Sequence, residues 1–274
     1  MSHVNKYGLS REIPEPTKLK IRQHCGFGCI FCGNALYQYE HVDPPFSEAK
    51  EHDPDHIVLL CGGCHDRVTR GLLSKESVKR MSLNPKCNEQ GFSFGPFEIG
   101  TTPPEVIIGN FKCKNVATLI SIDGDAVLSV KPPTEPGHPF LINAFLCDKD
   151  GREILRIVDN EWRTPSSNWD TKINGSRLTI RGALREVLLV LKSEPPHRLI
   201  FETVNMKHKG IEIVCKNNRA IQVTTSTSRF VSKGMSAKDC KIGIYVTHKE
   251  MLLGIGCGSL FIDHLELSHS PNKS

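Results

Sequence analysis

The pattern of apolar and polar positions divides the chain near the end of its first third. Upstream, the spacing predicts three short helices, over residues 14–24, from 61 or 64 to 70, and over 74–81. Gly71 is a natural stop for the second helix, and Ser74 is a natural cap for the third. Downstream, short β-favouring runs alternate with Gly, Pro, Asn and Asp.

The downstream pattern predicts an all-β region with turns such as Asp150-Gly151 and Asn174-Gly175. The predicted strands cover residues 127–130, 140–146, 153–158, 177–181, 186–191, 199–204 and 211–215. Many short strands at roughly ten-residue spacing are typical of a sandwich, with a β-helix as the main alternative. We find no strict repeat, which favours the sandwich.

Two breaks separate these regions, a predicted linker over residues 84–91 and a Pro-rich stretch over 101–104. We therefore predict an α+β protein with two domains, residues 1–90 and residues 91–274. The length of 274 residues suits two domains of ordinary size.

Composition changes this picture little. The formal net charge is +5, and residues 1–90 carry 12 basic and 11 acidic side chains, so charge alone does not predict a nucleic-acid partner. No apolar run approaches the ~18 residues that span a bilayer, so we expect no membrane association. Residues 1–20 hold no apolar signal core, and we expect a cytoplasmic protein.

The eleven cysteines carry the first chemical signal. Cys29–Cys32 and Cys61–Cys64 form two CxxC pairs, a spacing that predicts one structural Zn²⁺ held by four thiolates. We leave Cys25 outside this set, because the CxxC spacing is complete without it. Five scattered cysteines are predicted to be small buried thiols: Cys113, Cys147, Cys215, Cys240 and Cys257.

Between and after the cysteine pairs lie Glu40-His41, His56 and His65. Together with Arg22, a Leu-Leu-Cys-x-x-Cys-His run and a Thr-x-Gly ending, they resemble the HNH endonuclease family over residues 22–73. The resemblance implies a ββα-metal unit, in which a β-hairpin followed by a helix surrounds one catalytic metal ion. The zinc ion would stabilise this unit.

The resemblance also implies roles for single residues. Glu40 matches an acidic metal ligand, His41 the general base and His65 the last metal-binding histidine. His56 stands where the family usually has asparagine, so it is expected to bind the metal or to orient the loop. We therefore expect catalytic roles for His41, His56 and His65. Glu40 departs from the commoner Asp by one methylene.

The implied activity is metal-dependent hydrolysis of phosphodiester bonds in DNA, with RNA still open. Mg²⁺ suits the carboxylate, whereas Mn²⁺, Co²⁺ or Ni²⁺ suit added imidazoles better. Because guanidinium groups match phosphate oxygens, Arg22, Arg67 and Arg70 are predicted phosphate contacts.

Two alternatives remain beside this hypothesis. One is a catalytically silent zinc module that binds nucleic acid or protein. The other is an effector whose nuclease is gated by its β-rich domain, as in restriction or anti-phage defence. A single module has one site and cuts one strand, so cutting both strands would require a homodimer or two encounters.

Overall fold

The computed structural model describes residues 4–217 and 219–269. It divides into two compact units. The first unit comprises residues up to Gly95 together with Arg163–Ile173, and the second comprises Pro96–Trp162 and the chain from Asn174 onward. The first unit therefore extends five residues past the predicted boundary and also takes a segment from far downstream.

The first unit contains the helices and a two-stranded sheet. In chain order its elements are α1 (Glu15–His24), β1 (Tyr37–His41), a 3₁₀ turn (Pro54–His56), β2 (Ile57–Cys61), α2 (Gly62–Thr69), α3 (Lys75–Leu83), α4 (Lys86–Gln90) and β3 (Phe92–Pro96). The segment Arg163–Ile173 adds most of β9 (Glu161–Pro165) and β10 (Asp170–Asn174).

The three predicted helices are confirmed. Ser74 caps α3, its side chain accepting a hydrogen bond from the backbone N–H of Ser77. β1 pairs with β2 in antiparallel register, and α2 follows directly, so the chain has the order hairpin then helix. β2 is an apolar run whose first four residues are all buried, and these residues fill the core of this unit.

Residues 84–91 are not the linker that their composition predicted. They contain α4, in which the side chain of Cys87 is fully buried and its Sγ lies 3.9 Å from the carbonyl oxygen of Cys29. Most residues around Cys87 are polar, so composition alone did not predict that this stretch is anchored by buried side chains.

The second unit consists of strands. They are β4 (Glu105–Ile108), β5 (Phe111–Ile122), β6 (Asp125–Lys131), β7 (Leu141–Cys147), β8 (Glu153–Val158), β11 (Arg177–Ala183), β12 (Glu186–Glu194), β13 (Arg198–His208), β14 (Ile211–Cys215), β15 (Ile221–Thr224), β16 (Ser228–Val246), β17 (Met251–Ile255) and β18 (Ser259–His269). Each predicted strand overlaps one of these. The predicted series began at Val127 and ended at Cys215, however, and so omitted β4, β5 and β15 to β18.

The predicted sandwich of two separate sheets is not the arrangement found. Six strands form a closed ring of hydrogen-bonded neighbours, in the order β4, β13, β14, β15, β16, β5 and back to β4. Most neighbours pair antiparallel as hairpins, which also differs from the parallel coils of a β-helix. Alternating burial along β13 and β14 directs every second side chain into the core.

Two further expectations concern cysteines and membranes. Cys240 and Cys257 are joined by a disulfide, which corrects their prediction as free thiols, whereas Cys113, Cys147 and Cys215 are buried thiols as expected. In the described parts of the chain, no helix has both the length and the apolar character needed to cross a bilayer.

Candidate metal centre and histidine cleft

The four predicted zinc ligands converge in the first unit. The Sγ atoms of Cys29, Cys32, Cys61 and Cys64 all lie within 4.8 Å of one another. Those of Cys32 and Cys61 are 3.6 Å apart. Sulfurs bound tetrahedrally at about 2.3 Å from one zinc ion lie about 3.8 Å apart, so the cluster fits such an ion. The cluster can therefore hold a metal ion such as zinc.

Local backbone geometry brings each CxxC pair together. Gly33 adopts the left-handed region at φ 82°, and its N–H donates to the carbonyl oxygen of Cys29 at 2.8 Å. On the other pair, Cys61 is the N-cap of α2, and its Sγ accepts from the N–H of Cys64 at 3.4 Å. The CxxC spacing therefore acts locally, and this is why it could be recognised in the sequence.

Hydrogen bonds favour the thiolate form of Cys29. A hydrogen bond from the Cys32 thiol lowers the pKa of Cys29 below its usual value, and the backbone N–H groups of Cys61, Phe31 and Cys32 act in the same direction. The contact with Cys29 also raises the pKa of Cys32. Thiolates are the form that binds metal ions.

Two neighbouring cysteines stay outside the cluster. Cys25 and Cys87 are fully buried, and desolvation by burial raises the pKa of each thiol to about 12. Neither sulfur belongs to the set of four that converge. This geometry is consistent with leaving Cys25 out of the ligand set.

Glu40 and His65 meet beside the cluster. Glu40 is the penultimate residue of β1, and His65 follows Cys64 in the first turn of α2. The His65 Nε2 and the Glu40 Oε2 are 3.1 Å apart, and about a third of each side chain is exposed. Adjacent ligands of an octahedral ion with bonds of about 2.1 Å lie about 3.0 Å apart, so this pair fits two sites on one divalent cation.

His41 ends β1 and contacts a second histidine. Its Nε2 lies 3.1 Å from the Nδ1 of His52, and the His52 Nε2 lies 2.9 Å from the carbonyl oxygen of Ser10. Desolvation by burial, with smaller electrostatic contributions from His52 and Arg11, lowers the pKa of His41 to about 4. His41 is therefore a neutral imidazole near neutral pH, the form that can accept a proton.

Glu40 and His41 line a cleft of about 290 Å³. Arg11 and Lys18 line the same cleft, and the Arg11 guanidinium lies 4.7 Å from the ring centre of Phe46. Neither cation was predicted as a contact, because no motif connects them to the histidines. Lys18 lies in α1 and Arg11 in the segment before it, so only the fold shows their proximity.

A larger cleft, of about 630 Å³, lies in the second unit. Ala183, Val187, Thr203 and Asn205 are among the residues that line it, and its described lining holds neither histidine nor cysteine. None of the predicted catalytic side chains lies there, so we place the candidate site in the smaller cleft.

His56 does not join the predicted ligands. Its side chain is 53% exposed, and its Nε2 lies 3.8 Å from Asp53. Within residues 4–217 and 219–269, the four cysteines are the only set of three or more Cys, His, Asp or Glu side chains whose ligand atoms converge within 4.8 Å. A ligand role for His56 alongside Glu40 and His65 thus has no geometric support, and it stays an untested prediction.

The structure does not support the predicted phosphate contact of Arg22. It is 2% exposed, and its guanidinium makes two hydrogen bonds to Asp170, at 2.8 and 2.9 Å, and one to the Tyr39 hydroxyl at 3.1 Å. Burial opposes the charged form, but the hydrogen bonds and the charges of Asp170 and Tyr39 together outweigh it and raise the pKa of Arg22. A buried, paired guanidinium is a structural residue and cannot contact a phosphate.

Arg67 on α2 and Arg70, the residue that caps its C-terminus, are both exposed. Arg70 forms an ion pair with Asp66 at 2.9 Å, and 70% of its side chain is exposed. Such an exposed pair is worth little and leaves the guanidinium accessible. Both arginines remain available for the predicted phosphate contacts.

The pair Arg22–Asp170 yields a stability prediction. Asp170→Ala leaves a buried guanidinium without its carboxylate, and we expect it to destabilise the first unit by about 3 kcal/mol. Hydrogen exchange of peptides from α1 and β2 measures this opening free energy. Asp66→Ala, which removes only the exposed pair, should cost less than about 1 kcal/mol. Equal losses of opening free energy in both variants would show that the buried ion pair stabilises the unit no more than the exposed one.

Comparison with known proteins adds no family. No protein-family model, curated protein or solved structure matches this chain.

Proposed function

We propose that the first unit is a metal-dependent endonuclease of the HNH type that hydrolyses phosphodiester bonds of DNA. The observation that carries this proposal is the contact of Glu40 with His65, together with the neutral His41 that lines the same cleft as Glu40. One carboxylate, one imidazole and one base are the groups that such a hydrolysis needs.

Glu40 and His65 are the proposed ligands of the catalytic cation. Mg²⁺ usually keeps several waters and takes only one or two carboxylates, so two protein ligands suffice for it. Mn²⁺, Co²⁺ or Ni²⁺ would use the imidazole better. When bound, the cation supplies charge stabilisation at the scissile phosphate and at the leaving oxygen.

His41 is the proposed general base. Its neutral imidazole would accept the proton of the attacking water, which is the role of a general base. The four-cysteine cluster holds β2 and α2 around the site, and we assign it a structural zinc ion. A reducing compartment such as the cytoplasm suits free thiolates in this cluster.

Cations around the cleft support a phosphate-bearing substrate. Arg11 and Lys18 line it, and Arg67 and Arg70 are exposed on and at the C-terminal end of the helix that carries His65. Contacts of this kind hold the backbone of either nucleic acid and carry no base preference. These cations therefore do not distinguish DNA from RNA. We propose DNA because of the resemblance to HNH endonucleases, and RNA is the substrate to compare with it.

A silent zinc module is the second candidate function. Only two candidate ligands of a catalytic ion, Glu40 and His65, meet in the described structure, which is fewer than a dedicated all-protein site would offer. Such a module would bind nucleic acid without cutting it, and its zinc content would be its only metal requirement.

The test is incubation of the purified chain with supercoiled plasmid in Mg²⁺, Mn²⁺, Ni²⁺ or EDTA. We expect metal-dependent nicking, because one site cuts one strand. Glu40→Gln should lower the rate by roughly 100-fold, as strong changes around a bound metal do. It should also raise the metal concentration needed for half-maximal rate.

The matched control is Glu76→Gln on α3, an exposed carboxylate outside the cleft, which should nick like the wild type. Plasmid binding without nicking in any of the metals would instead establish the silent module.

A further inference from the structure

His41, His52 and Ser10 form a chain of hydrogen bonds at the end of β1. The His41 Nε2 is 3.1 Å from the His52 Nδ1, and the His52 Nε2 is 2.9 Å from the Ser10 carbonyl oxygen. Both distances lie in the ordinary range for nitrogen donors. His52 therefore links the candidate base to the backbone of the N-terminal segment.

The Ser10 carbonyl fixes the direction of these bonds. A carbonyl oxygen only accepts, so the His52 Nε2 carries a proton. In a neutral His52 ring the Nδ1 then has a lone pair and accepts, so the proton between the rings belongs to the His41 Nε2. The remaining nitrogen of a neutral His41, Nδ1, is left with a free lone pair.

Other contacts hold His52 in place. Its ring lies parallel to that of Phe46, with an interplanar angle of 14° and centroids 6.5 Å apart. Phe46 also makes an edge contact with His41, at 5.4 Å between centroids. The Asn5 Nδ2 donates to the carbonyl oxygens of Phe46 and Ala49, at 2.7 and 2.6 Å. The N-terminal segment thus fastens the loop that carries His52.

We propose that His52 is a positioning residue, which holds His41 as the Nε2–H tautomer and leaves Nδ1 as the atom that takes the proton from water. This rests on the proposed function of His41 as general base. His52 touches neither water nor phosphate in this role. It acts by orienting the His41 ring and selecting its tautomer, as partners of functional histidines do.

Two amide variants separate acceptor from donor. In His52→Asn the amide oxygen replaces Nδ1 and can still accept from His41, while the bond to Ser10 is lost. In His52→Gln the amide nitrogen replaces Nε2 and can still donate to Ser10, while the acceptor for His41 is lost. We expect His52→Asn to keep nicking activity within about threefold, and His52→Gln to lose roughly 10- to 100-fold in kcat with little change in KM.

The tautomer is measured independently of activity. Nitrogen-15 NMR of the imidazole rings distinguishes protonated from unprotonated nitrogens, and at pH 8 we expect the His41 Nε2 to be protonated in the wild type and in His52→Asn. In His52→Gln this preference should be lost. Zinc content and hydrogen exchange of β2 should be the same in all variants, and His138→Gln, an exposed histidine of the second unit, controls for loss of a histidine.

An unprotonated His41 Nε2 in the wild type would overturn the proposal, whatever the nicking assay shows. Equal losses in His52→Asn and His52→Gln would also overturn it and make His52 a merely structural residue. If the wild type shows the expected tautomer but nicks no plasmid in any metal, the proposed nuclease function fails while the positioning of His41 by His52 stands.

Discussion

A Cys61→Ser variant is expected to lose its bound zinc and the fold of the first unit, while the core of the second unit persists. Cys61 is both one of the four converging thiols and the N-cap of α2. Structural zinc contributes about 10–16 kcal/mol in small zinc domains, which is as large as the whole free energy of unfolding of an ordinary domain. Elemental analysis should give about one zinc per wild-type chain and much less in the variant.

Hydrogen exchange locates the loss in the Cys61→Ser variant. Peptides from β2 and α1 should exchange rapidly, while peptides from β13 stay protected. Cys147→Ser, a buried thiol of the second unit, should keep its zinc. Absence of zinc from the wild type, or a disulfide within the four-cysteine cluster in the purified protein, would contradict a structural zinc site there.

The second large effect is expected at His41. His41→Ala removes the proposed base, and loss of general-base catalysis costs about 10²–10⁴-fold in rate. The half-buried imidazole packs against Phe46 and His52, but it is not a ligand of the cysteine cluster, so zinc content should stay at about one per chain. Plasmid nicking under the best metal condition measures the effect.

His24→Ala is the control for that experiment. His24 ends α1, and the one described hydrogen bond of its side chain goes to the Ser82 carbonyl oxygen, so this variant should nick like the wild type. Unchanged nicking by His41→Ala would show that another group is the base or that a contaminant supplies the activity.

Features set by short-range spacing were predictable from the sequence. The two CxxC pairs, the serine cap of α3 and the hairpin of β7 and β8 around Asp150-Gly151 all depend on residues a few positions apart. Such patterns act through local backbone geometry, which hardly depends on the rest of the fold. Helices α1 to α3 and seven strands of the second unit, β6 to β8 and β11 to β14, followed for the same reason.

Features set by long-range contacts were not predictable. Arg22 looked like a phosphate contact because its partner, Asp170, lies 148 positions away. His52 had no matched motif, and its role emerges only where β1 and the N-terminal segment meet. β16, with glycines and charges along its 19 residues, lacks the continuous apolar signal of a buried strand. In each case the deciding partner is distant in sequence.

The segment Arg163–Ile173 has a consequence for how this protein is made. The first unit lacks this segment until the ribosome has added the 78 residues from 96 to 173, which takes roughly 4–16 s at about 5–20 residues per second. During that interval the cysteines and histidines are already present on the nascent chain, but Arg22 has no carboxylate partner. The nuclease we propose would therefore mature late in translation, and prematurely terminated chains ending before Asp170 would carry the catalytic side chains on an incomplete fold.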